Sequence, residues 1–400
     1  MKIRALALPL LTLALACGTT TAPPAALDAA TGAPVASART PLGAVAPSAS
    51  EAPSAPVVVA PAPSAFGSMV TAISEPDGPF FSDNTISNET SYLQVAEALK
   101  KTAPGGAYIG VGPEQNFTYI ALTKPKVAFI IDIRRQNMVE QLLYKALFAE
   151  ARSRSHFVAM LLGRPWDAAT DPGPSASIEQ VLAHAEKNPP DEAGFQALHN
   201  KLRSLAERDL PLDAGDRQTL EVTHRSFLKK QLGIRFELKP ANGRLYPTLR
   251  ELFVARDPKG NGGFLATEES FRFLKQMEAE GRIIPVVGDF AGDRALPGIA
   301  GYLAKEKLTV STFYVSNVEQ YLLEPKVWPK WARNVASLPV DDRSVFVRAW
   351  LDQGKPHPSQ MKGHRTATVL QRITDFEARQ AKKPFASWWD VATEKVLADG

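Results

Sequence analysis

Residues 107–116 read AYIGVGPEQN, in which an apolar run passes directly into a turn that holds two glycines. The run at 107–111 shows no alternation of polar and apolar residues, which is typical of a strand buried on both faces of a parallel sheet. Glycine lets the backbone turn tightly and approach a ligand, and a helix opening at Phe117 would offer free N–H groups. These residues predict a strand, a glycine turn and a helix in succession.

Further apolar runs repeat this pattern at residues 127–131, 283–287 and 310–315. Helical periodicity lies between or beside them, at residues 92–101, 137–151 and 267–280. Strands that alternate with helices are typical of α/β proteins. We therefore predict an α/β fold with a Rossmann-like, doubly wound and mostly parallel sheet.

The second and third of these strands are separated by about 150 residues, far more than a simple crossover needs. Amphipathic patterns at residues 178–187 and 194–208 predict helices in this stretch. We interpret residues 152–265 as a large helical insertion in a domain that spans residues 80–400.

The N-terminal sequence predicts export. Residues 1–16 carry Lys2 and Arg4 and then a short apolar run, the pattern of a secretory signal peptide. The run ends at Cys17, and residues 13–17 (LALAC) resemble the lipobox of bacterial lipoproteins. The resemblance implies a lipid anchor on Cys17 and a place at the outer membrane or periplasmic face. The alternative is ordinary cleavage that leaves Cys17 as a spare thiol.

The sequence from Cys17 to residue 79 is dominated by alanine, proline, serine and threonine without helical or strand periodicity. Such a composition buries too little apolar surface to offset the loss of chain entropy. We expect a disordered tether over residues 17–79.

Composition also excludes several kinds of site. Cys17 is the one cysteine, so disulfides, cysteine-bound zinc and cysteine nucleophiles are excluded from the folded domain. The 6 histidines show none of the spacings typical of zinc enzymes, and we predict no metal. The formal net charge of +4 falls to +2 without Lys2 and Arg4, which predicts no nucleic-acid partner.

Polar residues follow each of the four predicted strands, starting with the glycine turn after the first. Asp132 ends the second strand, twenty positions beyond Gly112, which is the spacing of a ribose-binding carboxylate. Gly-Asp-Phe follows the third strand at 288–290, and Ser-Asn-Val-Glu follows the fourth at 316–319. In a parallel sheet these ends share one edge, where ligands bind. For Asp132 the alternative is a structural ion pair with Arg134.

Taken together, this order of motifs resembles the class I S-adenosylmethionine-dependent methyltransferases. The resemblance is closer still to an uncharacterised bacterial lipoprotein family with methyltransferase-like domains. The resemblance covers roughly residues 81–350, and the runs that carry it are ISNE (86–89), GVGPEQNFTY (110–119), DIRRQN (132–137), LYKALF (143–148), GDFAG (288–292) and YVSNVEQYL (314–322).

The resemblance implies S-adenosylmethionine as the cofactor, with roles for particular residues. Gly110 and Gly112 would let the chain pass the methionine part, Asp132 would bind the ribose, and Asp289 with Phe290 would border the adenine. Ser316, Asn317 and Glu319 would face the transferred group, with Asn317 and Glu319 as catalytic residues. The remaining residues expected to border the cofactor are Glu114, Gln115, Asn116 and Arg134.

Two other functions stay open beside methyl transfer. One is a non-catalytic domain whose cleft binds another small molecule or a protein, because a fold alone does not determine function. The other is hydride transfer with a nicotinamide cofactor, which is disfavoured because Gln115 stands where the third dinucleotide-binding glycine is expected.

The lipoprotein hypothesis predicts that Cys17→Ser releases the protein from membranes, because the thioether carrying the lipid can no longer form. Membrane fractionation of both proteins, with mass spectrometry of the N-terminal peptide, measures this. Unchanged fractionation of the variant and a lipid-free peptide from the parent would contradict the hypothesis.

Overall fold

The computed structural model describes residues 64–82, 84–102, 105–238 and 245–397. The predicted signal peptide at residues 1–16 and residues 17–63 of the expected tether, Cys17 included, lie outside these residues. Among the described residues, every helix is too short or too polar to cross a lipid bilayer.

The strands are β1 (Ala107–Gly110), β2 (Val127–Asp132), β3 (Ile283–Val287), β4 (Val310–Ser316), β5 (Val345–Leu351) and β6 (Thr366–Arg372). The helices are α1 (Ala65–Ile73), α2 (Ala96–Thr102), α3 (Gln115–Thr123), α4 (Arg135–Glu150), α5 (Arg154–Leu161), α6 (Ile178–Ala185), α7 (Glu192–Asp209), α8 (Ala214–Lys230), α9 (Leu249–Val254), α10 (Glu268–Ala279), α11 (Ala295–Lys305), α12 (Glu319–Leu322), α13 (Trp328–Ala336), α14 (Ile373–Lys382) and α15 (Trp388–Thr393).

The strands form one mixed sheet in the order β3-β2-β1-β4-β5-β6. All neighbouring pairs are parallel except β5 and β6, which are antiparallel. This is the strand order of doubly wound dinucleotide-binding folds, with an antiparallel edge strand. The predicted α/β, Rossmann-like fold is confirmed.

The order in which strands are added to the sheet reverses between β1 and β4. The chain leaves β1 toward β2 on one side, and it returns to pair β4 with β1 on the other side. At such a switch point the connections on either side diverge, which opens a crevice at the carboxyl ends of the strands. Any ligand site of this fold is expected there.

Helices fill the long stretch between β2 and β3. Within its described residues they run from α4 to α10, of which α5 to α9 lie in the insertion predicted at residues 152–265, and α7 and α8 pack against α4. The side chain of Arg135 binds both carboxylate oxygens of Asp216 at 2.7 Å, which joins the start of α4 to α8. Arg135 therefore links the helical insertion to α4, which packs on β2 and β3.

The folded domain begins earlier than residue 80. α1 packs against β3 and α11, with Val70 and Ile73 buried. Glu75 follows it, and its carboxylate accepts hydrogen bonds from the backbone N–H groups of Arg294 (2.8 Å) and Ala295 (2.6 Å) at the start of α11. Residues 64–79 of the expected tether are therefore part of the folded domain, because apolar side chains of α1 complete the core.

This packing predicts that limited proteolysis leaves a resistant fragment that retains residues 64–82. Val70→Asp should expose cleavage sites in 64–79, because a carboxylate at a side chain now 1% exposed expels α1 from the core. Fragment masses from both proteins measure this. Cleavage of the parent protein between 64 and 80 would contradict the packing.

Candidate functional site

A cleft opens at the carboxyl ends of β1, β2 and β4. It consists of two adjoining cavities of about 550 and 940 Å³. The lining residues that they share are Phe80, Val111, Asp132, Val318 and Tyr321. The cleft thus lies at the switch point of the sheet, as the sequence predicted.

The glycine turn after β1 forms one wall of the cleft. Gly112 lines the first cavity with φ +82°, and a Cβ added there would meet no atom within 4 Å. Gly110 is different, because its Cβ would lie 2.0 Å from Asn116 Oδ1 and 2.6 Å from the Tyr108 hydroxyl. Gly112 therefore borders the open cleft, whereas Gly110 is required by packing behind it.

Asn116 holds the turn from the inside. Its Nδ2 donates to the backbone oxygens of Val111 (3.0 Å), Gly112 (3.0 Å) and Pro113 (2.8 Å). Its Oδ1 accepts from the Tyr108 hydroxyl at 2.8 Å. Asn116 is 0% exposed and does not reach the cleft, so its expected place beside a cofactor is corrected.

Asp132 lines both cavities and is bound by Arg134. The guanidinium donates from Nε to Oδ1 at 2.9 Å and from Nη2 to Oδ2 at 2.7 Å, and both residues are buried. The structural ion pair considered for these residues is therefore present. Asp132 Oδ2 accepts this one hydrogen bond from Arg134, whereas a carboxylate oxygen can accept two, which leaves a lone pair for a ligand.

Glu89 also lines the cleft, although the sequence did not predict it as a site residue. It lines the first cavity, and its carboxylate accepts hydrogen bonds from Tyr314 Oη (2.8 Å), Ser316 Oγ (2.5 Å) and Gln115 Nε2 (3.0 Å). Burial raises its pKa above the usual value. These partners are uncharged, so the carboxylate has no countercharge among them.

Ser316 and Asn317 also line the first cavity. Ser316 has φ +51°, uncommon for a residue with a side chain, and the pairing of β4 with β5 is irregular at this point. The irregular strand end directs the Ser316 hydroxyl to Glu89. The polar residues predicted to follow β4 therefore reach the wall of the first cavity through this irregular strand end.

Asp289 and Phe290 border the second cavity. Asp289 is partly exposed, and its Oδ1 accepts from the Ala291 N–H at 2.9 Å. The Phe290 ring is 3% exposed and stacks on Trp331 with centroids 5.3 Å apart. Asp289 thus offers a polar edge to the cleft, while Phe290 mainly supports the wall.

Glu319 does not face the cleft. It is 0% exposed, and its Oε1 accepts from Arg348 Nη2 (2.9 Å) and Trp331 Nε1 (3.1 Å). Arg348 is on β5 and also donates from Nε to Glu319 Oε2. The expected place of Glu319 beside a transferred group is corrected, because its charge is used to neutralise a buried arginine.

Glu114 and Gln115 also lie behind the glycine turn and outside both cavities. The Glu114 carboxylate accepts from the Ser87 N–H at 3.2 Å, and Gln115 donates to Glu89 and Tyr314. Their expected contact with a cofactor is corrected to a supporting position.

The predicted site residues thus divide into two sets. Those that line the cleft are Gly112, Asp132, Arg134, Asp289, Phe290, Ser316 and Asn317. Those that lie behind its wall are Gly110, Glu114, Gln115, Asn116 and Glu319.

A family model described as a domain of unknown function (DUF7790) matches residues 84–398, most of the chain. The chain belongs to the DUF7790 family. No curated protein matches the sequence. The match includes Glu89 and every predicted site residue of the cleft, whereas α1 and the segment up to Ser82 precede the matched part of the DUF7790 domain.

The segment before the DUF7790 match contributes an aromatic mouth to the cleft. Phe80, Phe81 and Tyr321 are 38%, 56% and 43% exposed, and their ring centroids lie 4.4 to 5.8 Å apart. Large aromatic side chains that stay exposed as a group are typical of binding sites. The sequence signal was the Phe80-Phe81 pair, which lay at the expected tether boundary.

Among the described residues of the DUF7790 domain, no three His, Cys, Asp or Glu side chains are grouped so as to hold a metal ion. The sequence prediction that the domain binds no metal stays a prediction.

Glu114 predicts a pH dependence of stability. Burial raises its pKa from 4.5 to about 7, so the folded state disfavours the ionised form. Its contribution to stability is complete below pH 4.5 and is lost as the pH rises through 7, by about 3 kcal/mol in total. At pH 8, Glu114→Gln should therefore unfold with a higher free energy than the parent, and at pH 4.5 the two should be equal.

Denaturant unfolding at both pH values measures this difference. Glu97→Gln, on α2, is the control and should show no such crossover. Parallel pH profiles for the parent and Glu114→Gln would contradict the assignment.

Proposed function

We propose that the domain binds a small organic molecule in the cleft, and that the ligand donates hydrogen bonds to Glu89 from a positively charged group. The observation that carries this proposal is the Glu89 carboxylate, which lines the cavity and contacts only the uncharged groups of Tyr314, Ser316 and Gln115. A buried carboxylate is stabilised strongly by an opposite charge.

The charges of the lining residues favour a cation as well. The acidic residues in the lining are Glu89, Asp132, Asp289 and Glu324, and the basic residue is Arg134. Because Arg134 is paired with Asp132, the remaining groups give the cleft a negative potential. The exposed ring of Tyr321 at the mouth adds a face that attracts organic cations, whereas the Phe80 ring already lies under the Arg134 guanidinium.

Methyl transfer from S-adenosylmethionine is the second candidate. It is favoured by the convergence of Gly112, Asp132 and Asn317 on one cavity, with Asp289 on the next. The cofactor carries a sulfonium and an ammonium group, which suit an acidic cleft. Catalysis there would depend on positioning the acceptor rather than on Glu319, and it would not need a strong base.

The lipid anchor on Cys17 is part of the proposal. A domain exported and held at the outer membrane or the periplasmic face meets ligands of that compartment. S-adenosylmethionine is made in the cytoplasm, so this location favours a binding function with another small molecule over methyl transfer.

Two matched pairs of ligands test the proposal by isothermal titration calorimetry on the full-length chain. Tyramine and tyrosol share a phenol ring but differ in bearing an ammonium or a hydroxyl group. S-adenosylmethionine and S-adenosylhomocysteine differ in the methyl group and its positive charge. We expect the charged member of at least one pair to bind more tightly, and Glu89→Gln to remove that preference with a loss of about tenfold or more in affinity.

Glu319→Gln is the matched control, since it removes a buried carboxylate outside the cleft and should lower stability without changing the preference. Equal binding of charged and uncharged members, or a preference that survives in Glu89→Gln, would overturn the assignment of Glu89. Methyl transfer in particular requires that S-adenosylmethionine bind.

A further inference from the structure

One face of α4 carries four polar side chains in the interior of the protein. Asn137, Glu140, Gln141 and Tyr144 follow one another at helical spacing and are 1%, 0%, 2% and 1% exposed. We call these four residues the α4 polar stripe. Side chains on this face of a helix are usually apolar when buried.

Most polar atoms of the α4 polar stripe have no hydrogen-bond partner in the protein. These atoms are Asn137 Oδ1 and Nδ2, both carboxylate oxygens of Glu140, Gln141 Oε1 and the Tyr144 hydroxyl. Buried polar groups are normally paired, because an unpaired one loses its hydrogen bonds with water and gains none. A stripe of such atoms on one helix indicates that something outside the polypeptide occupies the space beside it.

The surroundings of Glu140 supply no dedicated countercharge. The charged groups that affect it are Glu114, Asp132 and Arg134, and Arg134 is already bound by both oxygens of Asp132. Both carboxylate oxygens of Glu140 therefore lie in the interior without a hydrogen-bond donor or a dedicated countercharge.

The unpaired atoms are mainly acceptors. Five of the six are oxygens, and the nitrogen of Asn137 is the exception. An excess of acceptors does not suit an anion, whereas a water molecule could donate to two of these oxygens and a cation could be coordinated by several of them at once. Carboxylate and amide oxygens are the ligands that hard cations prefer.

We propose that the α4 polar stripe binds a hard metal cation of the alkali or alkaline-earth class, with Glu140, Asn137 Oδ1 and Gln141 Oε1 as its side-chain ligands. This site holds one carboxylate with amide oxygens, so it differs from the clusters of His, Cys, Asp and Glu that hold transition metals. The inference is independent of the ligand proposed for the cleft.

The cation site would support the glycine turn. Gln141 Nε2 donates to the backbone oxygen of Gly112 at 3.2 Å, so the residue that contacts the cation also contacts the wall of the cleft. Binding of the cation would fix the Gln141 side chain and hold Gly112 in its present position.

Thermal unfolding of the full-length chain tests the proposal without any organic ligand. The protein is first freed of metal ions with a chelator and then measured in choline chloride. Sodium, potassium, magnesium and calcium chlorides are compared with it at equal ionic strength. We expect at least one metal cation to raise Tm in a saturable way that choline does not reproduce.

Glu140→Gln keeps the size of the side chain and should abolish the saturable increase, while its Tm in choline chloride equals or exceeds that of the parent. Asn137→Ala is a second variant and should weaken the cation dependence. Glu97→Gln on α2 should leave it unchanged. Equal Tm values in all five salts, or an increase that persists in Glu140→Gln, would overturn the proposal and assign the space to water alone.

Discussion

The hydrogen bonds of Asn116 hold the glycine turn at the carboxyl end of β1, the central strand next to the switch point. One side-chain amide reaches the backbone oxygens of Val111, Gly112 and Pro113, and its oxygen accepts from Tyr108 on β1. The central strand, the glycine turn and the start of α3 are thereby held as one unit. Gly110 must lack a side chain because the Asn116 and Tyr108 groups occupy the space that its Cβ would need. The cleft and the α4 polar stripe both adjoin this turn, through Gly112.

The parallel part of the fold could be predicted because buried strands have a simple signature. The apolar runs at residues 107–111, 127–131, 283–287 and 310–315 became β1 to β4 with ends that shift by a residue or less. β5 was missed because Arg348 interrupts its apolar run, and its charge is tolerated only through Glu319 on a distant element. β6 begins with threonines and follows no continuous run. Long-range pairing of this kind has no local sequence signal.

The sequence indicated where the candidate site lies on the sheet, but it did not indicate which side chains point into it. A residue that follows a buried strand must lie at the carboxyl edge, which correctly placed Gly112, Asp132, Asp289 and Asn317 around the cleft. Side chains at the start of the following helix can point to the cleft or back beneath the sheet, and the sequence does not distinguish these directions. Glu89 comes from a segment before β1 that contains no strand pattern, so no rule about strand ends could identify it. Its partner Tyr314 looked like an ordinary apolar member of β4.

The buried acidic residues of this domain fall into two groups, those that are paired with an arginine and those that have no basic partner. Asp132 and Glu319 are each bound by two nitrogens of an arginine, so their charges are neutralised within the fold. Glu89, Glu114 and Glu140 are buried without such a partner, and in all three burial raises the pKa. These three acids influence one another across the glycine turn, Glu89 with Glu114 and Glu114 with Glu140. An uncompensated buried acid lowers stability, and a fold that concentrates such groups in one place sacrifices stability there for binding. The glycine turn is therefore the region where external partners of this domain are expected, whatever their identity.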